Sequence, residues 1–394
     1  MDMAVLQCGK TWSESGVTMR YISGLIAADL KKKMVFIGGP RQVGKTTLAK
    51  SFLGEESLTP SAYFNWDNPD HRLVIQKRSW KSGMKFIIFD ELHKLKRWKS
   101  WIKGIYDVEK ETTNFLVTGS ARLDVYRRGG DSLQGRYHYW RLHPFTLDEC
   151  PPDLTPQECY QRLLTVGGFP EPFFANNLVE AARWRRERYE RFVREDIRDL
   201  ESVRDLQTLS LFAELLRERV QSVVTLSNLA RDLEISPVTA KHWLTVFESM
   251  YYVFVLRPFT FKLSRSVKKQ PKVYFFDNGE IESPGAKLEN LVATHLLKRV
   301  HFLQDAYGEN LDLYFLRDKD GREVDFVIAR GGKIEELYEV KLSDGPIDES
   351  LRYYTKKLKP KRSFQVVGTN ERSFEVDGIQ VISPWELFSK PLAR

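Results

Sequence analysis

Cysteine is scarce: the 394-residue chain has three, Cys8, Cys150 and Cys159. Their spacing matches no metal-binding or disulfide framework, which argues against a stapled scaffold and fits a reducing cytosol. No apolar run approaches the roughly 18 residues that a membrane-spanning helix needs, and the amino terminus carries no signal-peptide pattern. The expectation is a cytoplasmic protein with no membrane partner. Acids are outnumbered, 53 against 61 lysines and arginines, for a formal net charge of +8. That balance suits an acidic partner. Nucleic acid is favoured over a membrane surface, because no basic amphipathic segment or lipidation signal stands out. The length exceeds what one hydrophobic core usually supports, so two or three domains are expected.

What is present is most informative at residues 31–48. Met34 to Ile37 is a short apolar run that reads as a buried strand. It leads into Gly-Pro-Arg-Gln-Val-Gly-Lys-Thr at 39–46, and a helical apolar pattern follows from Leu48. This is G-x4-G-K-[ST] between a strand and a helix, the context a phosphate-binding loop requires. Gly39 and Gly44 let the backbone curl so that successive N–H groups of Pro40-to-Thr47 neighbours Arg41, Gln42, Val43, Lys45, Thr46 and Thr47 face an anion. The helix directs its positive end at the same anion. Lys45 would reach the β- and γ-phosphates of ATP, and the Thr46 hydroxyl would ligate Mg²⁺.

Downstream, Met84 to Phe89 is a continuous apolar run ending in Asp90-Glu91. Strands buried on both faces of a parallel sheet read this way, and ligands bind beyond the carboxyl ends of such strands. Asp90 would hold the Mg²⁺ shell, and Glu91 would orient or deprotonate the attacking water. A further strand, Asn114 to Val117, runs into Thr118-Gly119-Ser120-Ala121. Ser120 is a candidate for sensing the γ-phosphate or positioning water; a strand-terminating turn is the alternative. Ser132-Leu-Gln-Gly-Arg136 offers Arg136 as an arginine finger, in cis or from a neighbouring subunit, against the alternative of a solvated arginine.

These motifs in this order, with Gly167-Gly-Phe-Pro-Glu-Pro172 after them, resemble the prokaryotic AAA-like ATPases that carry a long C-terminal domain initially of unknown function. The resemblance spans nearly the whole chain from about Arg20. It implies an AAA-like α/β core and ATP hydrolysis, and little about biological role.

Ala181 to Val220 lacks glycine and proline and is expected to be long helix. Its arginines are read as a solvated face with interleaved acids as i,i+4 partners, with a phosphate-binding helix as the alternative. Thr225 to Leu244 reads as a helix-turn-helix: Leu226 to Leu233 forms one helix, Ser236 is an N-cap and Pro237 opens the second helix. Ala240, Leu244, Phe247 and Tyr251 share its apolar face, leaving Thr239, Lys241 and His242 outward. Tyr252 to Leu256 and Thr260 to Leu263 are expected strands of a wing. Arg257 to Lys272, which includes Lys268 and Lys269, has six basic residues and no acid, suiting contact with DNA phosphates. Winged helices also serve as protein-contact modules.

Toward the carboxyl end, Lys272 to Asp277 and Leu313 to Arg317 read as strands, and Glu323 to Ile328 and Ile334 to Leu342 as a hairpin. Strand alternation puts Glu339 and Lys341 on one face, with Asp325 opposite on the partner strand. This is the D…E-x-K pattern of the restriction-endonuclease-like fold, with Glu289 as an additional acid in the first turn of a helix. Asp325, Glu339 and Glu289 would bind Mg²⁺, and Lys341 would position the nucleophile.

The expected fold is thus α/β throughout: a parallel-sheet AAA-like P-loop ATPase core at 19–150 after an amino-terminal segment 1–18, a helical linker at 151–222, a winged helix at 223–270, and a nuclease-like domain at 271–394. The expected activity is an ATP-driven motor on duplex or branched DNA, assembled as a homo-oligomer in which a ring is plausible. The alternatives are an ATP-regulated endonuclease and a nucleotide switch that binds a protein partner.

Overall fold

The computed structural model describes residues 20–119, 133–193, 206–260, 269–369 and 372–392. The segment 1–18, Ser120, Lys268 and most of the expected strand Thr260 to Leu263 lie outside them. The chain forms two compact units, residues 1–143 and 144–394.

In the first unit, α1 (Ser23–Leu30) precedes β1 (Met34–Gly38), and α2 (Lys45–Ser51) follows the Gly39–Gly44 loop. Then come β2 (Ser61–Asn65), α3 (Pro69–Lys77), β3 (Phe86–Asp90), α4 (Trp98–Glu109), β4 (Asn114–Thr118) and β5 (Tyr137–Arg141). The sheet order is β2-β3-β4-β1-β5, and every pairing is parallel. The fully buried strands β1 and β3 are the two apolar runs that sequence marks as interior. Phe36, Ile87, Phe89, Phe115 and Val117 pack with Ile75 of α3 and with Trp98, Ile102 and Ile105 of α4. Each such side chain contributes about 1.5–3 kcal/mol when fully buried. Because all five strands run one way, their carboxyl ends share one edge of the sheet. The loop after β1, the acids after β3 and Thr118 at the end of β4 therefore gather there.

The second unit is built on an eight-stranded mixed sheet of order β12-β13-β11-β10-β9-β8-β6-β7. Its strands are β6 (Val253–Pro258), β7 (Lys272–Phe275), β8 (Leu311–Arg317), β9 (Glu323–Arg330), β10 (Lys333–Lys341), β11 (Arg362–Val367), β12 (Phe374–Val376) and β13 (Ile379–Ile382). Strands β8, β9 and β10 form an antiparallel meander. The Glu349–Leu358 helix then crosses to β11, parallel to β10. Leu337 of β10 packs with Leu351 and Tyr354 of that helix. The neighbouring Glu336 and Tyr338 instead bond Arg299 of the long Pro284–Tyr307 helix.

Several expectations change. By contacts the chain divides at His143/Pro144, where Lys298 of the long helix binds Thr146, Asp148 and Glu149 at 2.6–3.1 Å and ties that segment to the second unit. The strand expected as a wing, β6, pairs antiparallel with β7 and parallel with β8, so it belongs to the large sheet and 270/271 is not a division. Helix is present at Leu178–Arg191 and Leu206–Arg217, not through to Val220; residues 194–205 lie outside the described set. Arg186 and Arg191 make the expected i,i+4 pairs with Glu190 and Glu187, whereas Arg185 and Arg188 turn inward to Asp277. Glu289 lies in the second turn of its helix, which starts at Pro284. Among the described residues no helix is long and apolar enough to cross a membrane.

The Gly167-Gly-Phe-Pro segment has a packing explanation. Gly167 has φ +84°, and a Cβ there would stand 2.3 Å from Asp277 Oδ1; one on Gly168 would stand 2.4 Å from the Phe145 carbonyl oxygen. Only glycine fits at such closeness.

Candidate functional site

The loop after β1 takes its shape from residues with positive φ: Gly39 at 138°, Gln42 at 63° and Gly44 at 96°. A Cβ on Gly39 would lie 2.3 Å from the Leu142 carbonyl oxygen, so the backbone passes where only glycine can. Val43 is fully buried and anchors the loop, while Gln42 and Thr47 face outward and Arg41 is half-buried. The buried Arg20 donates to the carbonyls of Val43 and His143 at 2.9 and 2.5 Å, tying the loop to the end of β5. The Lys45 ammonium is folded back onto the Gly39 and Pro40 carbonyls at 2.9 and 2.6 Å. It waits inside the curl of backbone that sequence assigns to phosphate.

Thr46 Oγ1 donates to Asp90 Oδ2 at 2.8 Å, bringing the first turn of α2 to the end of β3. Tyr63 on β2 donates to the same oxygen at 2.7 Å, and Thr118 on β4 donates to Oδ1. Three hydroxyls therefore fix a carboxylate that is 3% exposed. Burial and the Asp90 carboxylate push the Tyr63 phenol well above its ordinary pKa, so it stays a donor.

Glu91 follows directly, in left-handed backbone at φ 55°. Its Oε2 is shielded from solvent without a hydrogen bond, with His93 Nε2 at 3.6 Å and Lys94 Nζ at 3.7 Å. Burial raises its pKa, and Lys45 and Lys94 act against that rise. A desolvated carboxylate oxygen that has only these long ionic contacts and no hydrogen bond, beside the phosphate loop, can accept a proton.

Arg136 is elsewhere. It forms a two-pronged pair with Asp107 of α4, Nε–Oδ1 2.7 Å and Nη2–Oδ2 3.1 Å. It precedes β5, so it lies at the amino edge of the sheet, opposite the loop, and the expected finger in cis is corrected. The span of a five-residue strand, about 16 Å, separates the two edges. Ser120 lies outside the described residues. Sequence reasoning passed over Arg20 and Tyr63, and it marked the strand end at Thr118 without its contact to Asp90, because these contacts come from segments distant along the chain and not from local spacing.

In the second unit, Ser236 caps the Pro237–Ser249 helix, accepting from Thr239 N at 3.0 Å as expected. Ala240, Trp243, Leu244 and Phe247 are buried, Lys241 and His242 are exposed, and Thr239 is half-buried. Lys269 is exposed too. Farther along, Lys356, Lys357, Lys359, Lys361 and Arg362 form a basic run of which Lys361 pairs with Glu335 at 2.6 Å and Arg362 with Glu336.

The four residues expected of a nuclease do converge. Asp325 N donates to Glu339 Oε2 at 3.4 Å, Val340 N to Asp325 Oδ2 at 3.0 Å, and Lys341 Nζ to Glu339 Oε1 at 2.8 Å. Burial and the Asp325 charge raise the pKa of Glu289 to about 7 and of Glu339 to about 9. Yet Lys272, expected among phosphate contacts, is 1% exposed and reaches into this cluster from β7. Among the described residues no three His, Cys, Asp or Glu side chains are disposed to hold a metal ion.

Residues 31–150 match the family model of an AAA domain. Residues 157–282 and 284–388 match two models described as domains of unknown function, DUF8612 and DUF4143. An uncharacterized protein of Mycobacterium tuberculosis and one of Mycobacterium bovis are each 24% identical over 319 residues, covering 75% of this chain and 70% of theirs. Among solved structures, the Thermotoga maritima RuvB Holliday junction branch migration motor is 14% identical, with a TM-score of 0.32 over 62% of this chain and 92% of that one. A variant of that motor has a TM-score of 0.31 at the same identity, over 62% and 89%. Scores this low say nothing of this chain's substrate. The matched family model, the parallel sheet and the phosphate loop together make residues 31–150 an AAA-like P-loop ATPase domain.

Proposed function

We propose that this chain is a cytoplasmic DNA-binding motor that hydrolyses ATP to translocate on or remodel duplex or branched DNA, junction migration included, as a ring-like homo-oligomer. The observation that carries the reading is the 2.8 Å contact of Thr46 Oγ1 with Asp90 Oδ2 at the mouth of the glycine-shaped loop. A hydroxyl and a carboxylate are hard oxygen donors that fit Mg²⁺, and Asp90 is already oriented by Tyr63 and Thr118. Thr46 and Asp90 would hold the ion, which when bound neutralises charge on the phosphates. Lys45 exchanges the Gly39 and Pro40 carbonyls for the β- and γ-phosphate oxygens. Glu91 takes the proton of a water attacking the γ-phosphorus; the bond to the bridging oxygen breaks, and ADP and phosphate leave.

The DNA half rests on the exposed Lys241 and His242 beside Thr239 on a capped second helix, the exposed Lys269, and the net charge of +8. Arg136 is held by Asp107 at the edge of the sheet opposite its own ATP loop, so a finger role for it would need a neighbouring subunit. The test is ATP turnover with and without single-stranded, duplex and four-way DNA, with mass measured in nucleotide. Severalfold stimulation by DNA, weakening with salt, is the expected result. Turnover indifferent to every DNA, in protein that still hydrolyses ATP, rejects the motor and leaves the nucleotide switch.

A further inference from the structure

A lysine stands where the nuclease reading needs a metal. Lys272 Nζ lies 2.6 Å from Glu323 Oε1, 3.3 Å from Glu289 Oε1 and 3.3 Å from Asp325 Oδ1. An ammonium has three N–H donors and no acceptor, so three carboxylates use its whole capacity. The acids are committed from behind as well. Tyr274 donates to Glu289 Oε1 at 2.6 Å, and Asp325 Oδ2 accepts from Val340 N. A buried lysine is tolerated only when paired and hydrogen-bonded, and here the pairing is complete. The donor set that would bind a divalent cation is therefore consumed by the chain itself. A cation held between Glu289 and Asp325 at the usual 2.0–2.6 Å would share their space with Nζ. The residues present do not fit a metal.

We infer that Lys272 is the resident cation of the Glu289–Glu323–Asp325 cluster, and that this sheet consequently handles its ligand without a divalent ion and without cutting DNA. Lys272 is a positioning residue: it holds together β7, β9 and the Pro284–Tyr307 helix, which otherwise present three facing carboxylates. Glu339 and Lys341 complete the arrangement from β10, with Lys341 drawn also to Asp348 at 2.9 Å.

The wild-type full chain supplies the first test. Thermal melts in nucleotide-free buffer are run with and without millimolar Mn²⁺, alongside Asp325→Asn, and with Asp90→Asn to remove any contribution of the ATP site. The expected result is no Mn²⁺-dependent shift that Asp325→Asn abolishes, and a lower melting temperature for Asp325→Asn regardless of metal. A rise of several degrees in Mn²⁺ that disappears in Asp325→Asn overturns the inference. So does cleavage of supercoiled or four-way DNA in Mg²⁺ or Mn²⁺ that Asp325→Asn eliminates. Lys272→Met is the converse probe. Where it folds by circular dichroism, it gains one Mn²⁺ site by electron paramagnetic resonance titration, lost again in Lys272→Met/Asp325→Asn. A folded Lys272→Met that binds no Mn²⁺ counts against the inference. If it does not fold, the wild-type and Asp325→Asn pair still decides. Neither arm depends on ATP turnover or on motor activity.

Discussion

Replacing Glu91 by glutamine removes a proton acceptor and changes little else. The side chain keeps its length and shape, and the carboxylate is not part of the hydrophobic core. It loses only long contacts, 3.6 Å to His93 and 3.7 Å to Lys94, so the folding cost is that of a weak ion pair, under about 1 kcal/mol. The proposed nucleotide grip resides in other groups: the backbone of Gly39 to Gly44, Lys45, and the Thr46–Asp90 pair. Chemistry should bear the whole loss. A positioned general base contributes about 10²–10⁴-fold, which at about 1.4 kcal/mol per decade is about 3–5 kcal/mol of barrier. The expected Glu91→Gln protein therefore binds ATP within threefold of wild type, melts within a few degrees of it, and turns over 100- to 10,000-fold more slowly. Equilibrium titration with a fluorescent ATP analogue and a phosphate-release assay measure the two quantities separately. A turnover within threefold of wild type would refute the role. A parallel collapse of affinity would instead place Glu91 in binding.

Gly39→Ala should abolish nucleotide binding while leaving the second unit folded, since its Cβ would stand 2.3 Å from the Leu142 carbonyl oxygen at a φ of +138°; calorimetric titration with ATP showing wild-type affinity would contradict the loop geometry. Glu336 predicts an acid sensitivity: burial alone would raise its pKa, but Arg299 and its other partners hold it down at about 2. A depressed carboxylate contributes stability above its unfolded pKa of about 4.3 and loses it as pH falls toward 2. The gap is worth about 3 kcal/mol, seen as a falling urea midpoint between pH 5 and 2 that Arg299→Met removes. Lys241→Glu should weaken binding to all DNA sequences alike and reduce the salt slope by about one; an unchanged isotherm would take this helix face out of the interface.

The candidate ATP site was legible because its signals are local. Strand, glycines, Lys45 and Thr46 lie within a dozen residues, and the run ending in Asp90-Glu91 declares both its burial and its direction. Hidden from sequence was the lateral order of the strands. With β4 between β1 and β3, Thr118 meets Asp90 Oδ1, and β2 on the far side brings Tyr63 to the other carboxylate oxygen, Oδ2. Neither residue shares a motif with Asp90. Arg136 failed as a cis finger for the same reason. Motif order placed it after the other ATPase signals, but a residue that precedes a parallel strand belongs to the amino edge, so the direction of β5 sends it to Asp107.

The second unit turns on one charge that spacing misassigns. Read along the chain, Lys272 closes a basic run without acids and resembles a phosphate contact. Read across the sheet, β7 carries it beside Asp325 and Glu323 of β9, two strands removed from the hairpin that sequence already recognised, and beside Glu289 on the long helix. Desolvation would strip the ammonium of its proton, yet the three carboxylates raise its pKa well above the ordinary lysine value, so the charge stays. Motif logic asks whether the acids are present. The physical question is which cation they face, and only the pairing of distant strands answers it. A D…E-x-K spacing therefore names the acids, while the cation they face, here Lys272 beside Asp325, is set by the pairing of distant strands.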